Sequence, residues 1–182
     1  MSEFFERRAA ARGATMGVSL RDARADAADR RWFVDAYAGW IEEVGREAAS
    51  AAAALAATSA RTEAAARLAA RDTEVLLIAR DGVAAGFAVV ELRGASRRLT
   101  EFWIARGMRG LGVGSAAVPL ILDRHDGEWE TAALAGDAAA VRFWRAAVTR
   151  YTGGRHTERL QDGEVRQRFF ARAASRPSSG AR

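Results

Sequence analysis

The sequence predicts a mixed α/β fold, in which a central β-sheet of six to seven strands is flanked by helices. Three observations predict it. Short β-branched and aromatic runs alternate with stretches whose apolar residues recur at helical spacing. Asp81-Gly82 supplies a hairpin turn between two of those runs. A strand, a glycine-rich turn, an apolar helix and another strand then form one crossover unit around residue 112.

The elements follow in order. Val18 and Leu20 alternate with polar neighbours as a short strand ending near Arg21. Residues 27–44 carry Trp32, Phe33, Tyr37, Trp40 and Ile41, most of them on one helical face. Residues 46–71 are alanine-dominated, so propensity favours a helix. With Leu55 and Leu68 as its only large apolar residues, its grip on a core is expected to be weak. Residues 74–79 and 84–92 form the hairpin, 94–97 a loop, and 99–105 a further strand. The glycine-rich turn of residues 107–114 opens a helix through Leu122, in which Pro119 is expected to kink the axis or remove a hydrogen bond. Residues 128–135 are strand-like. Ala140, Phe143, Trp144, Ala147, Val148 and Tyr151 mark a helix ended by Gly153-Gly154, and residues 164–171 close the sheet.

The 182 residues include two prolines, one of them Pro177, which leaves no internal linker and points to one domain over residues 16–172. Residues 1–15 read as a disordered extension, with Met16 as an alternative start, and residues 173–182 as a disordered tail. With no cysteine, thiolate catalysis and zinc-thiolate sites are excluded, and no metal site is expected. No apolar run approaches the ~20 residues that span a bilayer, and the first residues lack a signal-peptide core, so no membrane partner and a cytoplasmic location are expected. The net charge of +5 suits a nucleic acid, an acidic substrate or an anionic cofactor. Without a run of five or more basic residues or interleaved aromatics, nucleic acid is the weakest of the three.

Glycines at 107, 110, 112 and 114, opening a helix after a strand, leave backbone N–H groups bare for an anion, with Arg106 and Arg109 beside them. The bland alternative is a tight turn that needs glycine for its dihedrals alone. The spacing does not meet the P-loop pattern. Gly112-Val113-Gly114-Ser115-Ala116-Ala117 does satisfy a dinucleotide fingerprint, with Asp137 placed for a ribose. Against that reading, residues 106–111 separate the strand from the first glycine, and repeated strand-helix units are missing.

Arg109, Gly112 and Gly114 also match the Arg/Gln-x-x-Gly-x-Gly/Ala signature of the GNAT acetyltransferase superfamily, which the chain resembles over roughly residues 16–171. The strand before the signature is similar to that family's fourth strand. Residues 137–144, Asp-Ala-Ala-Ala-Val-Arg-Phe-Trp, follow the spacing of its Asn-x-x-Ala-x-x-Phe-Tyr segment. Phe143-Trp144-Arg145 with Tyr151-Thr152-Gly153-Gly154 resembles a bacterial subgroup of the family.

The resemblance implies an N-acetyltransferase that uses acetyl-CoA and an amine acceptor, a small molecule or a peptide, by direct attack in a ternary complex, and a homodimer is compatible with it. It implies that the backbone of Arg109, Gly110, Leu111, Gly112, Val113, Gly114 and Ser115 holds the diphosphate. Trp103, Ile104 and Ala105 would pair with pantetheine, with the Ile104 N–H polarising the thioester carbonyl. Asp137, Phe143 and Trp144 would complete the cofactor site, and Glu101 would serve as base.

Trp144 and Asp137 depart from the family's tyrosine and asparagine. Indole is too weak an acid to protonate a thiolate, and Tyr151 sits about 10 Å further along the helix. A non-catalytic acyl-CoA-binding module is therefore the alternative, with a dinucleotide-binding protein behind it. His156 falls where it could reach a site mouth, and His125 is singled out by scarcity alone. The acids Asp35, Glu42 and Glu43 read as a solvated helical face or as a cation site.

Overall fold

The computed structural model describes residues 17–47 and 53–172. Seven strands form one sheet in the order β1-β2-β3-β4-β5-β7-β6. They are β1 Val18–Asp22, β2 Thr73–Arg80, β3 Val83–Arg93, β4 Ser96–Ile104, β5 Gly127–Leu134, β6 His156–Gln161 and β7 Glu164–Ala171. Four helices flank them: α1 Ala27–Glu47, α2 Ala53–Ala69, α3 Val113–Leu122 and α4 Ala138–Thr152. β4 and β5 are the parallel pair and the other pairs are antiparallel. The expectations for residues 1–15, Met16 and 173–182 lie outside the described residues.

Strand alternation assigns the two faces. Val75 and Leu77 of β2 and Phe87 and Val89 of β3 meet Phe33 and Tyr37 of α1 and Ala60 and Ala64 of α2. Leu76, Ile78, Ala88 and Val90 point the other way, into a cluster with Val113, Val118 and Ile121 of α3 and Val141, Trp144 and Val148 of α4. The apolar run in β2 is continuous because the strand is covered on both faces.

Three expectations are corrected. β4 begins at Ser96, so the loop after β3 is shorter than residues 94–97. His156 does not reach a site mouth: it opens β6, which follows the double glycine and completes the upper count of six to seven strands expected, and it pairs with Phe169. The alanine-rich helix is firmly docked. Ala60 and Ala64, one turn apart, are fully buried, which lets α2 approach closely. Leu55 lies where side chains are not described.

Arg24 reinforces that docking. Its Nε donates to the Leu68 carbonyl (2.7 Å) and its Nη2 to the carbonyls of Arg67 (3.0 Å), Ala70 (2.9 Å) and Thr73 (2.7 Å). Helix ends leave carbonyls without donors, and a cation there also complements the macrodipole. Arg24→Ala removes a half-buried charged donor from four acceptors and is expected to destabilise the fold by about 3 kcal/mol, measured by urea denaturation. A loss below about 1 kcal/mol would show that water caps α2 equally well.

α3 continues past Pro119 to Leu122. The proline removes one N–H from the helix ladder but does not end the helix. No described helix is long and apolar enough to cross a membrane.

Candidate acyl-CoA cleft

Two features of β4 open the sheet. Thr100 is an extra residue against β3, since Val89 pairs with Glu101 and Val90 with Leu99. The pairing with β5 covers only Ser96–Leu99 against Glu128–Thr131. From residue 100 onward the β5 side of β4 is unpaired. Ala105 donates its N–H to Ala85 on β3 (2.9 Å), so by strand alternation the Ile104 N–H faces the open side.

A cavity of ≈ 590 Å³ lies at this opening. Phe102, Trp103 and Ile104 line it from β4, Gly110, Gly112, Val113, Gly114 and Ser115 from the turn and α3, and Asp137, Ala140, Phe143 and Trp144 from α4. The structure thus brings together most of the residues predicted for the cofactor. Ala105 and Leu111 are not on the lining. Ala105 is turned to β3 by its backbone bond, and the Leu111 side chain faces solvent.

Gly112 is the N-cap of α3 and adopts φ +77°, a left-handed conformation that favours glycine, and no side chain caps the helix. The first intrahelical bond runs from Ala116 N–H to Gly112 (3.0 Å). The N–H groups of Val113, Gly114 and Ser115 therefore precede the ladder, at the positive end of the macrodipole. A Cβ on Gly114 would come within 3.3 Å of the Phe143 ring. This glycine makes room for an aromatic wall as well as for a turn.

The Arg109 side chain does something other than supply charge to the turn. Its Nε donates to the Ile104 carbonyl (2.8 Å), and its Nη1 and Nη2 grip Glu43 of α1 (2.7 and 3.1 Å). Glu43 is 8% exposed and also accepts from Arg106 Nε (3.0 Å) and Trp103 Nε1 (3.2 Å). The Arg109 bond holds its carboxyl down at about 2 despite burial, with Trp103 and Arg106 assisting. Glu43 is thus neither a solvated charge nor a free cation site. Asp35 is exposed and lies 3.7 Å from Arg61.

Asp137 is the N-cap of α4, its Oδ1 accepting from Ala139 (3.1 Å) and Ala140 (2.9 Å). The position needs an acceptor, which a carboxylate supplies as well as an amide does. Phe143 stacks on Phe102 at 5.5 Å, and Trp144 meets both rings edge-on. Neither described tyrosine lines the cleft. Tyr151 donates to Asp123 (2.7 Å), and Tyr37 donates to Glu101 (3.4 Å) under α1.

Glu101 occupies the opposite face of β4 from Phe102 and Ile104. It is 7% exposed, and its Oε1 lies 2.8 Å from Arg67 Nη2 of α2, while Oε2 is buried without a hydrogen bond. Burial pushes its carboxyl up to about 7, against the attraction of Arg67. His125 pairs with Glu74 (3.0 Å), away from the cleft.

No protein-family model and no curated protein matches the sequence. Solved structures do match the fold. A GNAT-family protein from Desulfovibrio desulfuricans aligns over 87% of this chain and 100% of its own, with 15% identity and a TM-score of 0.55. The chain has the GNAT fold. The PaiA N-acetyltransferase of Thermoplasma acidophilum in complex with coenzyme A aligns over 85% and 99% of the two chains (10% identity, TM-score 0.57). An acetyltransferase from Thermus thermophilus aligns over 84% and 96% (12% identity, TM-score 0.61). A GNAT fold with one parallel strand pair is not the doubly wound sheet on which a dinucleotide fingerprint works.

Proposed function

We propose that this protein is an acetyl-CoA-dependent N-acetyltransferase acting on an amine by direct attack in a ternary complex. The observation that supports this best is the splay of β4 from β5 beside the uncapped start of α3. It leaves strand-edge groups and helix-terminal N–H groups facing one cavity, a fit for an extended chain ending in a diphosphate. The backbone of Gly110 to Ser115 would hold the diphosphate and the open edge at Phe102 and Ile104 the pantetheine. Acetyl-CoA bound there supplies an activated thioester. The Ile104 N–H is placed to stabilise negative charge on its carbonyl. Glu101, with a carboxyl near 7 but buried behind β4 and not on the cavity lining, takes the proton of the attacking amine through a relaying water. With no tyrosine on the cleft, solvent protonates the departing thiolate.

Acetyl-CoA at a hundred times its dissociation constant is expected to stabilise the protein by about 2.7 kcal/mol, a rise of roughly 5–10 °C in Tm for a chain of this size. No shift with millimolar acetyl-CoA overturns the reading. The packing of Trp144 against Phe102 and Phe143, where the resemblance implies a tyrosine, favours one second reading, a non-catalytic acyl-CoA-binding module. Release of free thiol with any member of an amine panel eliminates it.

A further inference from the structure

We infer that Glu43 is a positioning residue for the cofactor loop. Reaching across from α1, it holds Arg109, and Arg109 holds the carbonyl of Ile104, so one carboxylate fixes both the end of β4 and the entry to the glycine turn. The inference rests on the acyl-CoA reading for its functional consequence but on geometry for the latch itself.

Arg109 is engaged along its whole fork. Its Nε closes on the Ile104 carbonyl five residues back, while both Nη atoms close on a carboxylate 66 residues away in sequence. A fork held at both ends behaves as a brace, because moving the loop breaks several charge-assisted bonds together. Arg106 and Trp103 converge on the same carboxylate, from the two sides of the strand-to-loop junction. Glu43 also lines the cavity beside the glycines. Residues 103 to 109 are thereby tied to α1, which is anchored to the opposite face of the sheet by Phe33 and Tyr37. The strand end that presents the Ile104 N–H is held by a helix from the other layer.

An alternative arrangement uses the same atoms. Glu43 could act as an internal anion that masks Arg106 and Arg109 from the diphosphate. The two arrangements predict opposite signs.

The experiment compares wild type with Glu43→Gln and Arg109→Lys. The first substitution keeps the side chain's shape but turns an amide donor toward arginine donors. The second keeps the charge, but a single ammonium nitrogen cannot reproduce the three-nitrogen grip on both Glu43 oxygens and the Ile104 carbonyl. Two quantities are read: backbone amide exchange over residues 102–113 in the ligand-free protein, and the dissociation constant for coenzyme A by calorimetry. Both variants are expected to accelerate exchange in that segment about tenfold or more and to weaken coenzyme A about tenfold. The double variant should be little worse than either single one, because the brace fails at either end. Tighter coenzyme A binding by Glu43→Gln would overturn the inference in favour of masking. A lower Tm with local exchange and affinity unchanged would overturn it as well, reducing Glu43 to a staple between helix and sheet. If wild type itself fails to bind coenzyme A, the functional reading falls, while the exchange data still decide whether the latch exists.

Discussion

Gly112→Asp is expected to abolish the thermal shift produced by acetyl-CoA while leaving the unliganded protein within a few degrees of wild type. Two local effects oppose each other in the free protein. A side chain at φ +77° costs about 1–2 kcal/mol, and aspartate is among the residues that tolerate this region. Against that, an acceptor at the uncapped N-terminus of α3 gains a capping interaction of about 1 kcal/mol. The diphosphate sees only losses, because the new carboxylate competes for the N–H groups of Gly114 and Ser115 and repels an anion at the spot where the macrodipole attracted it. The measurement is a melting curve with and without the cofactor. A variant that folds and still shifts by the wild-type amount would place the diphosphate elsewhere and remove the main support for the cleft.

That prediction rests on a feature legible in the sequence, because the glycine turn is local. Its residues, its conformation and its ligand chemistry all lie within a few positions of one another. Asp137 was singled out as a cofactor contact, and its role as the N-cap of α4 went unread although the amides it accepts from are only two and three residues away. The sheet was legible where burial leaves a pattern, as in the continuous apolar run of β2. β6 left none. It is an edge strand paired with β7, and all but its first residue are exposed, so no alternation marked where the seventh of the six to seven expected strands lies. The docking of α2 was hidden for a different reason. Alanine carries little hydrophobic signal, yet Ala60 and Ala64 succeed because their small size permits close approach. Arg24 and Glu43 were misjudged or missed because each acts on groups more than 40 residues away. Nothing beside either residue in the chain distinguishes it from a solvated charge. The candidate site was therefore legible as a loop and only incompletely as a cleft, since the long-range contacts that brace the loop have no local signature.

Glu101 presents the reverse case, a residue whose type was legible but whose environment was not, and it yields the strongest expected pH effect. Its carboxyl stands at about 7 in the folded protein against an ordinary value of 4.5. Below 4.5 it is protonated in both folded and unfolded states and has no effect on the balance. Between 4.5 and 7 the unfolded chain ionises while the folded one holds its proton. The folded state then binds more protons, and stability falls with rising pH. Above 7 both states are ionised and the loss is complete, at about 3 kcal/mol. The carboxyls of Glu43, Glu74 and Glu158 are held below their ordinary range, so their contributions change at lower pH and leave this window clear. Glu101→Gln removes the titrating group. Its stability relative to wild type should therefore rise by about 3 kcal/mol between pH 4.5 and 7 and then level off, read by urea denaturation across that range. A relative stability independent of pH would show that Arg67, at 2.8 Å, keeps Glu101 ionised throughout. Arg67→Gln should push the carboxyl higher still, because it removes the main attraction opposing burial. With any amine that turns over, the acidic limb of kcat/KM should move toward alkaline pH in that variant. Glu101 would then be established as the base and Arg67 as the residue that tunes it, whereas an unmoved limb would assign the proton transfer to another group.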